Sequence, residues 1–131
     1  KLDVGLAIID KRRPAPGKSQ VMNVVGNVKG KTCIIVDDII DSGGTIVNAA
    51  AALINRGAKE VNVYVTHGVL SGEAVEKIKK SKIKNLVVTD TIDNSDKVKK
   101  SRNIEVLSIS NLLAEAMKRI SNSTSVSDLF K

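Results

Sequence analysis

The stretch Ile34-Ile35-Val36-Asp37-Asp38-Ile39-Ile40-Asp41-Ser42-Gly43-Gly44-Thr45 limits what this chain can fold into more than any other part of it. Ile34 to Val36 are β-branched and apolar, the pattern of a strand covered on both faces. Unpaired carboxylates are costly in an apolar interior, so Asp37 and Asp38 mark that strand's carboxyl end. In open α/β sheets this end is where ligands bind. Ser42, Gly43, Gly44 and Thr45 carry little side-chain bulk, which lets backbone N–H groups approach a phosphate. A helix predicted to begin near Thr45 adds the positive end of its dipole. Acids suit sugar hydroxyls or a divalent metal, and an amide nest suits a phosphate. Together they describe a site for a sugar phosphate.

The rest of the chain builds a scaffold around that strand. Val4 to Ile9 reads as a strand that delivers Asp10-Lys11-Arg12-Arg13 to an edge, where Pro14, Pro16 and Gly17 stop regular structure. Ser19 to Lys31 reads as a hairpin or paired edge strand. Ile46, Ala49, Ala50, Leu53 and Ile54 recur at helical spacing up to Arg56-Gly57. Val61 to Thr66 is the next strand, and it ends in Thr66-His67-Gly68. A helix begins near Ser71-Gly72-Glu73, with Ala74, Val75 and Ile78 inward. Strands at Asn85 to Val88 and Ile104 to Ser108 flank a polar loop over Asp93 to Asn103. Leu112, Leu113, Ala116, Met117 and Ile120 make a last amphipathic helix, capped by Ser110 or Ser108. Alternating strands and helices predict a single α/β domain over residues 1–131, with a mostly parallel sheet flanked by helices and right-handed crossovers.

Composition excludes several classes of function. With one Phe and one Tyr there is no stacking platform for single-stranded nucleic acid, so the net charge of +7 is read as solvated lysines that attract phosphorylated metabolites. No apolar run is long enough to span a membrane. The lone Cys33 is expected to be a core thiol in a reducing, cytoplasmic setting. His67, the only histidine, has no second histidine or nearby cysteine with which to bind metal, and a structural role is expected for it. Thr91, at the end of its strand, is equally consistent with a ligand contact or an ordinary turn.

Asp-Asp-x-x-Asp-Ser-Gly-Gly-Thr at Asp37–Thr45 resembles the ribose-5-phosphate loop of the type I phosphoribosyltransferase fold. Ile8-Ile9-Asp10-Lys11-Arg12-Arg13-Pro14 resembles the flexible catalytic loop of ribose-phosphate pyrophosphokinases, and Ser125-Val126-Ser127-Asp128-Leu129-Phe130 resembles their carboxyl-terminal segment. The similarity runs over essentially the whole chain, and on it the chain is identified as a carboxyl-terminal half of such an enzyme. The reaction implied makes 5-phosphoribosyl 1-pyrophosphate and AMP from ATP and ribose 5-phosphate.

The resemblance also implies roles for individual residues. Lys11 and Arg13, in a catalytic loop over residues 10–18, close on the transferred group. In the sugar-phosphate loop over residues 37–45, Asp37 and Asp38 hold hydroxyls and are candidate magnesium ligands, Asp41 lies near the sugar phosphate or the anomeric side, and Ser42, Gly43, Gly44 and Thr45 donate to the 5-phosphate. Ser125, Val126 and Phe130 belong to a nucleotide or phosphate effector site at a subunit interface, although Asp128 stands where an aromatic residue is usual. Mg²⁺ is the expected cofactor, and a homo-oligomer, a hexamer in the full-length enzyme, is the expected assembly. Adenine and metal–ATP contacts are expected from an amino-terminal half and a neighbouring subunit, so the isolated chain is expected to be inactive. Two other classes are a phosphoribosyltransferase, which would need a base-binding hood, and a non-catalytic associated subunit, which usually shows damage in one of the two loops.

Overall fold

Four strands that each end before a helix form one parallel sheet, in the order in which they occur along the chain. The structure, a computed structural model, describes residues 3–12 and 21–131, with the side chains of Lys11, Arg12, Val21 and Met22 excepted. Strands β1 (Ile8–Arg12) and β2 (Val21–Val25) pair antiparallel as a separate ribbon, with Ile8 opposite Val25 and Arg12 opposite Val21. The sheet itself runs β3 (Thr32–Ile40), β4 (Glu60–Gly68), β5 (Ile83–Thr89) and β6 (Ile104–Leu107). Helices α1 (Gly44–Asn55), α2 (Ala74–Lys79) and α3 (Ser95–Val98) make the crossovers, and α4 (Ser110–Ser121) follows the last strand. The α/β class and the mostly parallel sheet are as expected.

Strand order explains where the core lies. Right-handed crossovers that always step in the same direction place every connecting helix on one face of the sheet. Val61, Val63, Val65, Leu86 and Val88 on that face are buried, together with Ile46, Ala50 and Leu53 of α1 and Ile78 of α2. Alternation turns the intervening residues to the other face. There Ile34, Tyr64 and Leu107 are exposed, and Val36 keeps 77% of its surface. The expectation that β3 is covered on both faces is therefore corrected. It is an edge strand in the described residues, with an apolar side open.

Several boundaries also move. The first strand is set by its pairing with β2, so it occupies Ile8–Arg12 rather than Val4 to Ile9. Asp10, Lys11 and Arg12 thus lie in a hairpin ladder, not in a loop beginning at residue 10; Arg13 and the remainder of the expected loop lie outside the described residues. The ribbon docks through buried Val24 against α1, and Arg56 Nη2 donates to Asn23 Oδ1 at 3.3 Å.

Asp93 to Asn103, expected as a featureless loop, contains α3 and the buried Asn94. The tail over Ser121 to Ser127, which composition alone would leave disordered, is tied back by Arg119 Nη1 donating to Ser125 O at 3.0 Å. It continues into a short 3₁₀ turn over Ser127–Phe130. Cys33 packs half-buried against the core, and burial raises its thiol pKa, partly offset by Lys31.

Candidate functional site

The β3–α1 turn brings the predicted sugar-phosphate residues to one end of the sheet. Asp37 and Asp38 lie inside β3, which pairs on through Ile39 and Ile40 and so ends two residues later than the carboxylates were expected to mark; Asp41 and Ser42 form the turn, and all four are exposed. Gly43 enters the helix in the left-handed region, with φ of 77°. A side chain there would meet Ile78 only at 3.7 Å, so the need for glycine is conformational rather than steric. Val47 N donates to Gly43 O at 3.0 Å, which fixes the helix start one residue earlier than Thr45.

This helix start is open to an anion. Among the described residues no side chain caps α1, and no acidic residue occupies its first turn. Its first N–H groups and the positive end of its dipole are left to whatever binds at the turn. Gly44 has nothing within 4 Å of an added Cβ, and the space beside it is free.

The loop after β4 buttresses the turn from below. Val69 N and Leu70 N donate to Ile40 O at 2.9 and 3.2 Å, and Ser71 N donates to Asp41 O at 3.2 Å. Leu70, buried, holds a positive φ of 49° to make these bonds.

The two strand carboxylates are not equivalent. Asp37 Oδ1 accepts from Asp38 N at 3.0 Å. Because they are adjacent on a strand, their side chains leave opposite faces. Among the described residues no three His, Cys, Asp or Glu side chains come together as a metal site. One carboxylate at a time fits a magnesium ion that draws its other ligands from phosphate and water.

Sequence similarity now adds a family to this geometry. The phosphoribosyl synthetase-associated domain pattern matches residues 7–131. The chain belongs to that family. It is 61% identical over 128 residues to a protein of Hyphomonas neptunium named ribose-phosphate pyrophosphokinase, covering 98% of this chain and 41% of that one. A Brucella melitensis protein of the same name is 55% identical over 130 residues, covering 99% of this chain and 42% of its own length. The crystal structure of phosphoribosylpyrophosphate synthetase from Mycobacterium smegmatis superposes with a TM-score of 0.79 at 41% identity, covering 92% of this chain and 38% of that chain. The chain spans about two-fifths of the length of the curated relatives it matches. These overlaps do not bear out its placement in the carboxyl-terminal half.

Those of the other predicted residues that the structure describes belong to other segments, β1 and the tail. Lys11 lies in β1 opposite Met22, and Arg13 lies outside the described residues. Ser125, Val126 and Phe130 sit on the tail, where Ser125 and Ser127 hydroxyls share a 2.8 Å hydrogen bond and Phe130 is exposed. No described hydrogen bond links them to the β3–α1 turn.

Asn94 was not singled out by the sequence, although Asp93-Asn94-Ser95 is a turn-forming run that could have flagged it. Buried, it donates from Nδ2 to Gly68 O and Ile92 O, and so clamps the end of β4. A Cβ on Gly68 would press on Val88 at 3.1 Å and on Asn94 Nδ2 at 3.2 Å.

Candidate basic partners elsewhere are structural. Lys84 pairs with Glu60, and Lys79 with Glu76, holding each carboxyl below its ordinary value chiefly through the lysine hydrogen bond. No helix among the described residues is long and apolar enough to cross a membrane.

Proposed function

We propose that this chain carries the ribose-5-phosphate-binding element of a ribose-phosphate pyrophosphokinase. The parent enzyme passes the β,γ-pyrophosphoryl group of ATP to the 1-hydroxyl of ribose 5-phosphate, releasing AMP. The observation that carries this reading is the uncapped α1 amino terminus, entered through left-handed Gly43 and flanked by Asp37, Asp38 and Asp41. The relatives' name is consistent with it.

In this reading Ser42, Gly43, Gly44 and Thr45 bind the 5-phosphate, and Asp37 and Asp38 take the ring hydroxyls. Asp41 lies beside the phosphate or the anomeric side. Lys11 and Arg13 neutralise charge on the moving group, the main service a protein gives such a transfer. Magnesium, when bound, neutralises phosphate charge and orients it, with Asp37 or Asp38 as a protein ligand. ATP contacts, a homo-oligomeric and cytoplasmic enzyme, and an effector at Ser125, Val126 and Phe130 complete the proposal.

Calorimetric titration with ribose 5-phosphate tests the site, with plain ribose as control. Saturable binding of the ester, absent for ribose and lost in Gly44→Val, is expected. Gly44 suits the test because a Cβ there meets no protein atom. Binding that survives Gly44→Val, or heat equal for ribose and its phosphate, overturns the assignment.

A further inference from the structure

The hydrogen bond between His67 Nδ1 and Thr91 Oγ1, 2.9 Å, joins the carboxyl ends of two sheet strands. His67 is in register with Ile39, the residue after Asp38, so the imidazole stands one strand across from the acidic pair at the same end of the sheet. Its backbone is fixed, since the next residue, Gly68, is clamped by Asn94 and crowded by Val88. The ring is exposed, and no described residue bonds Nε2.

The surrounding hydroxyls bear on which nitrogen carries the proton. Thr66 O can only accept, and Thr89 Oγ1 lies 2.7 Å from it, so the Thr89 proton goes there. Thr91 Oγ1 donates its single proton to Thr66 O at 3.2 Å and lies 3.0 Å from Thr89 Oγ1. With that proton on Thr66 O, Thr91 Oγ1 offers lone pairs to His67, and this arrangement favours Nδ1–H as the donor over the tautomer in which Thr91 donates to a bare Nδ1. The neutral ring then presents a bare Nε2 lone pair.

We infer that His67 is a further substrate-contacting residue of the sugar-phosphate site: Thr91 and Thr89 hold it as the Nδ1–H tautomer so that Nε2 accepts a hydrogen bond from a hydroxyl of the bound sugar. This rests on the ribose-5-phosphate reading above and adds a residue to it. The chemistry is complementary. The β3–α1 turn offers amide donors for the phosphate, whereas sugar hydroxyls bring protons that need acceptors beyond the carboxylates. An imidazole fixed by a second group supplies one without adding charge next to the phosphate.

Because the chain has a single histidine, its ring nitrogens can be read without ambiguity by ¹⁵N NMR on the whole chain. At alkaline pH, where imidazole is neutral, the spectrum is expected to show the Nδ1–H form, which free histidine disfavours, and Thr91→Val is expected to abolish that preference. Ribose 5-phosphate is expected to shift Nε2 together with the Gly43 and Gly44 amides, and inorganic phosphate to shift only the amides. In calorimetry His67→Asn is expected to bind the ester roughly three- to tenfold more weakly, with His67→Gln, which keeps a distal acceptor, recovering part of the loss.

An Nε2–H tautomer overturns the proposal. So does an unmoved Nε2 when the glycine amides respond, and in that case the sugar-phosphate reading stands. Nε2 responding equally to inorganic phosphate makes the ring an anion contact and also overturns it. Ribose 5-phosphate that moves neither glycine amides nor Nε2 overturns both readings together.

Discussion

Helices α1 and α4 are each twelve residues long, and they are held to the molecule in opposite ways. α1 buries Ile46, Ala49, Ala50 and Leu53 against the sheet and makes no side-chain cap at its start. α4 carries a comparable apolar stripe, yet none of its residues is buried, and Met117 keeps 69% of its surface. Its start is fixed by polar bonds instead. The difference shows where each helix can carry function. A helix secured by packing can leave its amino terminus unsatisfied for a ligand, because losing a cap costs only about 1 kcal/mol against the larger contribution of buried side chains.

The sharpest way to break this comparison is to cut each helix at its apolar stripe. Leu53→Ala, at 3% exposure in the core, is expected to destabilise the chain by about 2–5 kcal/mol. Leu113→Ala, half exposed, is expected to change stability by no more than about 0.5 kcal/mol. Urea midpoints of the two variants check both values. Similar losses would mean that α4 is packed in solution and that the contrast is false.

The same contrast explains what the sequence made legible. The α1 stripe and the glycine turn were readable because each is a local pattern whose cause is local, periodicity and backbone freedom, whereas the carboxylates misplaced the end of β3 by two residues because pairing with β4 carries it to Ile40. The stripe on α4 looks the same in one dimension but stays exposed, and only strand order reveals that the crossovers populate one face of the sheet. The covered-on-both-faces reading of Ile34 to Val36 failed for that reason, since composition cannot tell an edge strand from a central one. The start of β1 moved because pairing with Val21–Val25 sets it, and pairing is not written in either strand alone. Asn94 was missed because its turn-forming run says nothing of Gly68, the distant partner from which its importance comes.

A smaller effect distinguishes the two glycines that open α1. Gly43→Ala forces a Cβ into a left-handed residue and is expected to cost roughly 1–2 kcal/mol, with no clash to add to it, since Ile78 lies at 3.7 Å. Gly44→Ala occupies free space without a positive φ, and is expected to be neutral or stabilising by up to about 1 kcal/mol. Thermal denaturation separates the pair. If Gly44→Ala proved the more damaging, the turn would not be held as described, and the phosphate nest would lose its basis.

The smallest expected effect lies at the start of α4, where polar anchoring stands in for burial. Asp90 accepts from Ile109 N at 3.0 Å, and its carboxyl lies below its ordinary value of 3.8, first through the Ser108 hydroxyl and then through that amide. A carboxyl depressed in the folded state contributes stability that is fully present above its unfolded pKa and is lost as pH falls through the folded one. Asp90→Asn keeps the shape and an acceptor oxygen but removes the charge. The wild type is therefore expected to exceed Asp90→Asn in urea midpoint at neutral pH, with the gap narrowing only below the ordinary aspartate range and vanishing at lower pH. No matching pH-dependent gap is expected for a substitution at the start of α1, where no acid occupies the first turn. A gap that stayed constant down to the lowest pH would mean that Asp90 acts through shape alone, and that the start of α4 is not secured by charge.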